Sequence, residues 1–296
     1  MKTKLLYQPP LPFQGSKRDF NNLVISTLLD LEAQGLITRD TIFVEVFGGS
    51  GILSHNIKRV FPNNRVVWND YDDYETRLNN IQATNELLGK IDKIRQKNKV
   101  GFKVSEDSKN EILALIQNEL DTWGYVDFIT LSCYLLFQGN YAQNIDDLKK
   151  HAFYAKSSSF KPFVRDDYLE NVKRISCDFV EAIKQYEGQN TFFIYDPPYL
   201  FSNEQAYSSK WSMRNFLQLM ALVKPPFIFF SHASSGILDF MECFSGFENI
   251  QIKKKQRTLT STKSYEEYMI LQSCLPPERL CRTQADFKIE RIRYGI

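Results

Sequence analysis

The stretch that decides the fold is Thr41–Phe61, "TIFVEVFGGSGILSHNIKRVF". Its first seven residues are β-branched or aromatic apart from Glu45 and read as a buried strand. Three glycines within Gly48–Gly51 then permit a sharp turn and close approach of the backbone to a bound molecule. From Ser50 the apolar residues Ile52, Ile57 and Val60 recur near one face of a helix. Strand, glycine turn and helix in that order form the opening unit of an α/β sheet. Three further runs read as strands: "RVVWND" (Arg65–Asp70), "TFFIYD" (Thr191–Asp196) and "PFIFFS" (Pro226–Ser231), with a shorter one near Ile175. "SMRNFLQLMALV" (Ser212–Val223) opens with a serine cap signal and reads as a helix. The alternation predicts an α/β fold with a Rossmann-like, mostly parallel sheet. Ile250–Gln272 reads instead as two strands joined by a Ser/Thr/Lys loop, an antiparallel edge hairpin. Between about residues 72 and 170 the pattern turns polar and helix-rich. The expected domains are therefore 1–71 with 171–275, a helical insertion at 72–170, and a charged tail at 276–296.

Composition narrows the function classes. A net charge of +2 argues neither for nor against nucleic acid. Two local basic runs, Lys93–Lys103 and Lys253–Arg257, suit either solvated loops or phosphate contact. The five cysteines contain no CxxC pair and the three histidines are scattered, so no metal site is expected. Free thiols fit a reducing compartment. No apolar run is long enough for a bilayer, and "MKTKLLYQPPLPF" is not a signal peptide. A cytoplasmic protein is expected.

The chemistry gathers at "IYDPPYL" (Ile194–Leu200). Two adjacent prolines end a β-ladder, because they lack the N–H that it needs. They leave Asp196 and Pro197 on a stiff, extended lip rich in acceptors and poor in donors. Such a lip suits a ligand that brings donors, for example an exocyclic amine. Asp70 lies about twenty residues beyond the glycine turn, the offset at which an acid commonly takes ribose hydroxyls. Capping of the following helix is the plainer alternative. The glycine spacing is not GxGxxG and no GxxxxGK[ST] occurs, which disfavours NAD and a triphosphate. A nucleoside without a phosphate cradle, beside an acceptor-rich lip, suggests S-adenosylmethionine.

With these segments in hand, the chain resembles the Dam-type class of N6-adenine DNA methyltransferases. "PFQGSKR" (Pro12–Arg18), "EVFGGSG" (Glu45–Gly51), "WND" (Trp68–Asp70), "CDFVEAI" (Cys177–Ile183), "DPPY" (Asp196–Tyr199), "FFSH" (Phe229–His232) and "TSTKSYEEYMIL" (Thr260–Leu271) follow the family's motif order over most of the chain outside the insertion. The resemblance implies a methyltransferase sheet and an adenine-specific, site-specific DNA methyltransferase activity. It assigns Phe13 and Lys17 to the methionine end of S-adenosylmethionine. Glu45, Phe47, Gly49 and Gly51 would lie beneath it. Asp70 would take the ribose, and Asp178 with Phe179 the adenine of the cofactor. Asp196, Pro197, Pro198 and Tyr199 would act on the target base, with Tyr199 as the stacking face for an adenine flipped from double-stranded DNA. His232 and Glu267, at strand ends, read as structural.

Recognition of DNA is expected from the helical insertion and the hairpin loop. Gln138, Asn140 and Asn144 in "FQGNYAQN" (Phe137–Asn144) carry amides suited to base edges or phosphates. Lys210 in "YSSKW" (Tyr207–Trp211), just after the lip, and Lys253, Arg257 and Lys263 are the other DNA candidates. The Asn/Arg-rich run of GATC-recognising relatives is not intact, which leaves the target sequence open. Two alternatives stay open as well. One is a catalytically silent DNA-binding subunit of a modification complex. The other is the same chemistry on cytosine N4, RNA adenine or a protein amide. No nuclease constellation is found, and a separate restriction endonuclease is retained as a partner.

Overall fold

A computed structural model describes residues 5–137, 139–155, 160–199, 211–243, 246–260 and 263–273, with the side chains of 234, 257–260 and 263–265 excepted. In chain order the elements begin with α1 (Asn21–Ala33), β1 (Ile42–Glu45), α2 (Ile52–Val60) and β2 (Arg65–Asn69). There follow α3 (Tyr74–Asn79), α4 (Ile81–Arg95), α5 (Glu106–Trp123), α6 (Phe128–Leu135) and α7 (Ile145–Lys149). The chain returns with β3 (Lys173–Ile175), α8 (Phe179–Tyr186), β4 (Thr191–Tyr195), α9 (Met213–Leu222) and β5 (Phe227–His232). It ends in α10 (Ile237–Cys243), β6 (Gln251–Thr260) and β7 (Lys263–Gln272). No helix among the described residues is long and apolar enough to cross a membrane.

Two compact units emerge. Among the described residues, one holds 5–7, Lys17–Asp72 and 169–273. The other holds Gln8–Ser16 and Asp73–Tyr168.

The first unit is built on a seven-stranded sheet of order β3-β2-β1-β4-β5-β7-β6. β1 pairs in parallel with both β2 and β4, and β5 extends β4 in parallel. β7 and β6 close the edge antiparallel. This is the mostly parallel, Rossmann-like sheet with an edge hairpin that the strand pattern predicts. All five residues of β4 are buried, as is β5 up to Ser231. Both faces of these central strands are covered, which is why they read as near-continuous apolar runs. One face packs Val44, Val67, Phe193, Tyr195, Phe227 and Phe229 against α8, α9 and α10. The edge strand β6 carries Lys253, Lys254 and Lys255, charges of the kind that discourage pairing with another chain. Lys253 Nζ donates to Thr27 Oγ1 at 3.0 Å and Lys255 Nζ to the Asp19 carbonyl at 2.6 Å.

The second unit is helical. Leu87, Leu88, Ile91 and Ile94 form the buried stripe of α4, and Ile112 and Ile116 that of α5. Ser105 caps α5, accepting from Ser108 N, and Gly124 ends it in a left-handed conformation at φ 68°. Asp127 caps α6 through Thr130 N and also accepts from Arg77 Nε at 3.0 Å, so one buried carboxylate serves a helix end and an ion pair.

Candidate active site

The site lies where the strand order reverses. From β1 the chain proceeds one way through β2 and β3, and from β4 the other way through β5. A crevice at the carboxyl ends of such neighbouring strands is the usual place for a ligand in an open α/β sheet. Glu45 pairs in register with Ile194, so the turn after β1 and the lip after β4 leave the sheet side by side.

The glycine turn is shaped by its own neighbours. A Cβ on Gly48 would fall 2.2 Å from Trp68 Cδ1 and 2.9 Å from the Asn69 carbonyl, so only glycine fits. Gly51 holds φ 75° as the residue before α2, with the Leu169 side chain 2.9 Å from any added Cβ. Asn69 ties the strand ends together. Its Nδ2 donates to the Val46 and Cys177 carbonyls at 2.9 and 3.0 Å, and its Oδ1 accepts from Cys177 N at 3.1 Å. Sequence reasoning passed over Asn69 because a polar residue at a strand end carries no pattern of its own.

Glu45 is buried beneath the turn. Its Oε2 accepts from Ser54 N at 3.1 Å and from the Ser54 hydroxyl, at the first turn of α2. Burial pushes its carboxyl up to about 8; the Ser54 hydrogen bonds oppose this, Asp196 adds to it and Lys17 opposes it. Lys17 lies with these two acids. Its Nζ is 2.8 Å from Asp196 Oδ2, with the two side chains only 5% and 16% exposed. The same ammonium stands 5.3 Å from the Tyr199 ring centroid and 5.8 Å from that of Phe230. Pro197 is buried, and Pro198 and Tyr199 are half-buried.

On the other side of β1, Asp70 has no exposed surface, and its Oδ2 accepts from Arg174 Nε at 2.8 Å. It does not cap the next helix, whose cap position is Asp73. Asp178 does cap α8, accepting from Val180 N at 2.8 Å, and stays exposed. Phe47 stacks on Phe179 with centroids 5.7 Å apart, and Trp211 packs edge-on against Phe47 at 5.6 Å. Trp211, the last residue of the "YSSKW" segment, thus packs with the two aromatic residues that the resemblance assigns to the cofactor.

Phe13 packs edge-on against Tyr74 at 5.7 Å, within the helical unit. Asn140 is exposed there, and Asn144 caps α7 through Asp147 N at 2.9 Å. Gln138 and Lys210 lie outside the described residues, as do the side chains of Arg257 and Lys263 and the 276–296 tail.

The residues read as structural, His232 and Glu267, prove to touch Tyr199. The imidazole stacks on the phenol ring at 6.0 Å, and Glu267 Oε1 lies 3.5 Å from the Tyr199 hydroxyl. Their signal in the sequence was present only as register: the two are direct partners across β5 and β7.

A Haemophilus influenzae protein named "Putative methyltransferase" is 31% identical over 287 residues, covering 90% of this chain and 93% of its own length. The family model for D12 class N6 adenine-specific DNA methyltransferase matches residues 13–219, which take in the glycine turn, Asp70 and the DPPY lip. The chain therefore belongs to the D12 class of N6 adenine-specific DNA methyltransferases.

Proposed function

We propose that the protein transfers a methyl group from S-adenosylmethionine to N6 of an adenine flipped out of double-stranded DNA. The observation that carries this reading is the Asp196 carboxylate on an acceptor-rich lip, beside the glycine turn and ion-paired to Lys17 at 2.8 Å. The donor set on the β1 and β2 side fits an S-adenosyl nucleoside. The exposed Asp178 carboxylate suits amino donors, Phe47, Phe179 and Trp211 provide flat apolar surface, and Asp70, buried against Arg174, is the acid assigned to the ribose once the nucleoside enters. When bound there, S-adenosylmethionine supplies an electrophilic methyl group on a sulfonium.

The target nitrogen is a poor nucleophile because its lone pair is delocalised into the ring. Asp196 and the Pro197 carbonyl accept hydrogen bonds from the amino group and draw it toward tetrahedral geometry. Their negative potential then favours the positive charge that develops on nitrogen. Lys17, 2.8 Å from Asp196 Oδ2, holds the carboxylate at the lip. Alignment of the two reactants supplies much of the remaining acceleration. No strong base is required first, because the alkylated nitrogen sheds its proton afterwards. Tyr199 is the stacking face for the extruded base, whose removal from the duplex costs a few kcal/mol. The exposed amide Asn140 and the basic residues of the helical unit are assigned to recognition of the DNA.

The test is incubation with methyl-labelled S-adenosylmethionine and unmethylated genomic DNA, followed by nucleoside analysis. N6-methyldeoxyadenosine is the expected product. Asp196→Ala should abolish transfer and leave cofactor binding nearly intact. Label confined to RNA or protein would refute the DNA assignment, and near-normal transfer by Asp196→Ala would refute the role of the lip.

A further inference from the structure

We propose that Glu267 and His232 are positioning residues that set the orientation of Tyr199 for receipt of the target base; this rests on the adenine-N6 reading above. Tyr199 lies four residues beyond Tyr195, the end of β4. Two residues from the neighbouring strands β5 and β7 touch it. His232 ends β5 and stacks its ring with the phenol at 6.0 Å and 29°. Glu267, directly opposite on β7, brings Oε1 to 3.5 Å from the hydroxyl.

Pairing β5 with β7 uses backbone groups alone and does not call for an acid at position 267. Burying a carboxylate is costly unless it accepts hydrogen bonds, yet Glu267 is only 4% exposed. A carboxylate acceptor makes a stronger bond to a phenol than a neutral one. At 3.5 Å the contact is longer than the usual O–H···O bond of about 2.5–3.0 Å, and a small tilt of the ring would bring the hydroxyl into full bonding distance. The Lys17 ammonium, 5.3 Å from the same ring and paired with Asp196, links the orientation of Tyr199 to the lip that grips the amine. Glu267 and His232 thus act through Tyr199 and touch neither reactant.

The experiment is a double-mutant cycle with Tyr199→Phe, Glu267→Leu and the pair. It uses duplex DNA carrying the methylation site mapped by modified-base sequencing. The readouts are kcat, the KM for DNA, and the fluorescence of aminopurine at the target position, which reports unstacking and stacking of the flipped base. Glu267→Leu should raise the KM for DNA about fivefold, the worth of one net hydrogen bond, and change the aminopurine signal. The double variant should be no worse than the poorer single variant. Glu267→Gln, which keeps an acceptor, should recover most of the loss, and His232→Phe should do better than His232→Ala. These two rescues separate positioning from instability. Effects of Tyr199→Phe and Glu267→Leu that multiply, or a Glu267→Leu enzyme with unchanged KM and aminopurine signal, would overturn the inference while wild-type methylation leaves the parent reading standing. A wild-type enzyme that makes no N6-methyladenine would overturn both.

Discussion

Replacing Lys17 with methionine isolates the contact on which the lip depends. The ammonium lies 2.8 Å from Asp196 Oδ2, and both side chains are largely withdrawn from water. At an effective dielectric constant of about 20, two charges at that separation attract by roughly 6 kcal/mol. Desolvation cancels part of this, and removing one partner of a buried pair typically costs about 3–5 kcal/mol because the other charge is stranded. Asp196 keeps some exposure, so water can rehydrate it, and the lower end, about 3 kcal/mol, is expected. Urea unfolding of the wild type, Lys17→Met, Asp196→Asn and the double variant would measure it. The double variant should be markedly less destabilised than the sum of the singles, with a coupling of about 2 kcal/mol or more. Costs that add to within about 0.5 kcal/mol would refute the contact and leave Lys17 as a cofactor ligand alone.

Three further outcomes follow from other parts of the site. The Glu45 carboxyl titrates higher in the folded chain, about 8, than the ordinary 4.5, so the folded state holds a proton that the unfolded state has lost. Stability should therefore fall as pH rises from about 4.5 to 8, by several kcal/mol in all, and Glu45→Gln should flatten that fall in urea titrations at successive pH values. A wild-type-to-variant difference independent of pH would show that Glu45 is ionised throughout. Gly48→Ala should cost roughly 2–3 kcal/mol, because the new methyl group meets the Trp68 ring and the Asn69 carbonyl; a variant of normal stability would mean that the turn moves freely. Arg174→Gln should raise the KM for S-adenosylmethionine about tenfold with little change in the KM for DNA, since Asp70 loses the cation beside it. Arg174→Lys should restore part of the affinity, and equal effects on both substrates would sink the assignment of Asp70 to the cofactor.

Much of the fold was legible because it is written in local patterns. The strand runs beginning at Thr41, Arg65, Thr191 and Pro226 are apolar on both faces, as central parallel strands must be. Their stops are chemical: glycines after β1, prolines after β4. The edge hairpin showed itself through a polar loop between two alternating runs. The order of these segments, together with DPPY, was enough to point to the family. Less legible was the division of labour among polar residues. Asp178 combines exposure with a helix cap, and Asn144 spends its carboxamide oxygen on a cap as well. Trp211 follows the lip in sequence and packs with Phe47 and Phe179.

Local sequence alone determined where strands begin and end, because apolar periodicity and the missing N–H of proline act within a few residues. It also placed an acid on a stiff acceptor-rich lip. Only the tertiary structure decided which charges meet: Lys17 with Asp196, Arg174 with Asp70, and Glu267 and His232 with Tyr199. Those pairs join residues up to 179 positions apart (17 to 196), and nothing in either local pattern encodes the other. They arise because sheet order sets β3 beside β2 and β7 beside β5, next to β4, while Lys17 comes from the segment before α1, and the burial of a charge is tolerated only when its partner arrives.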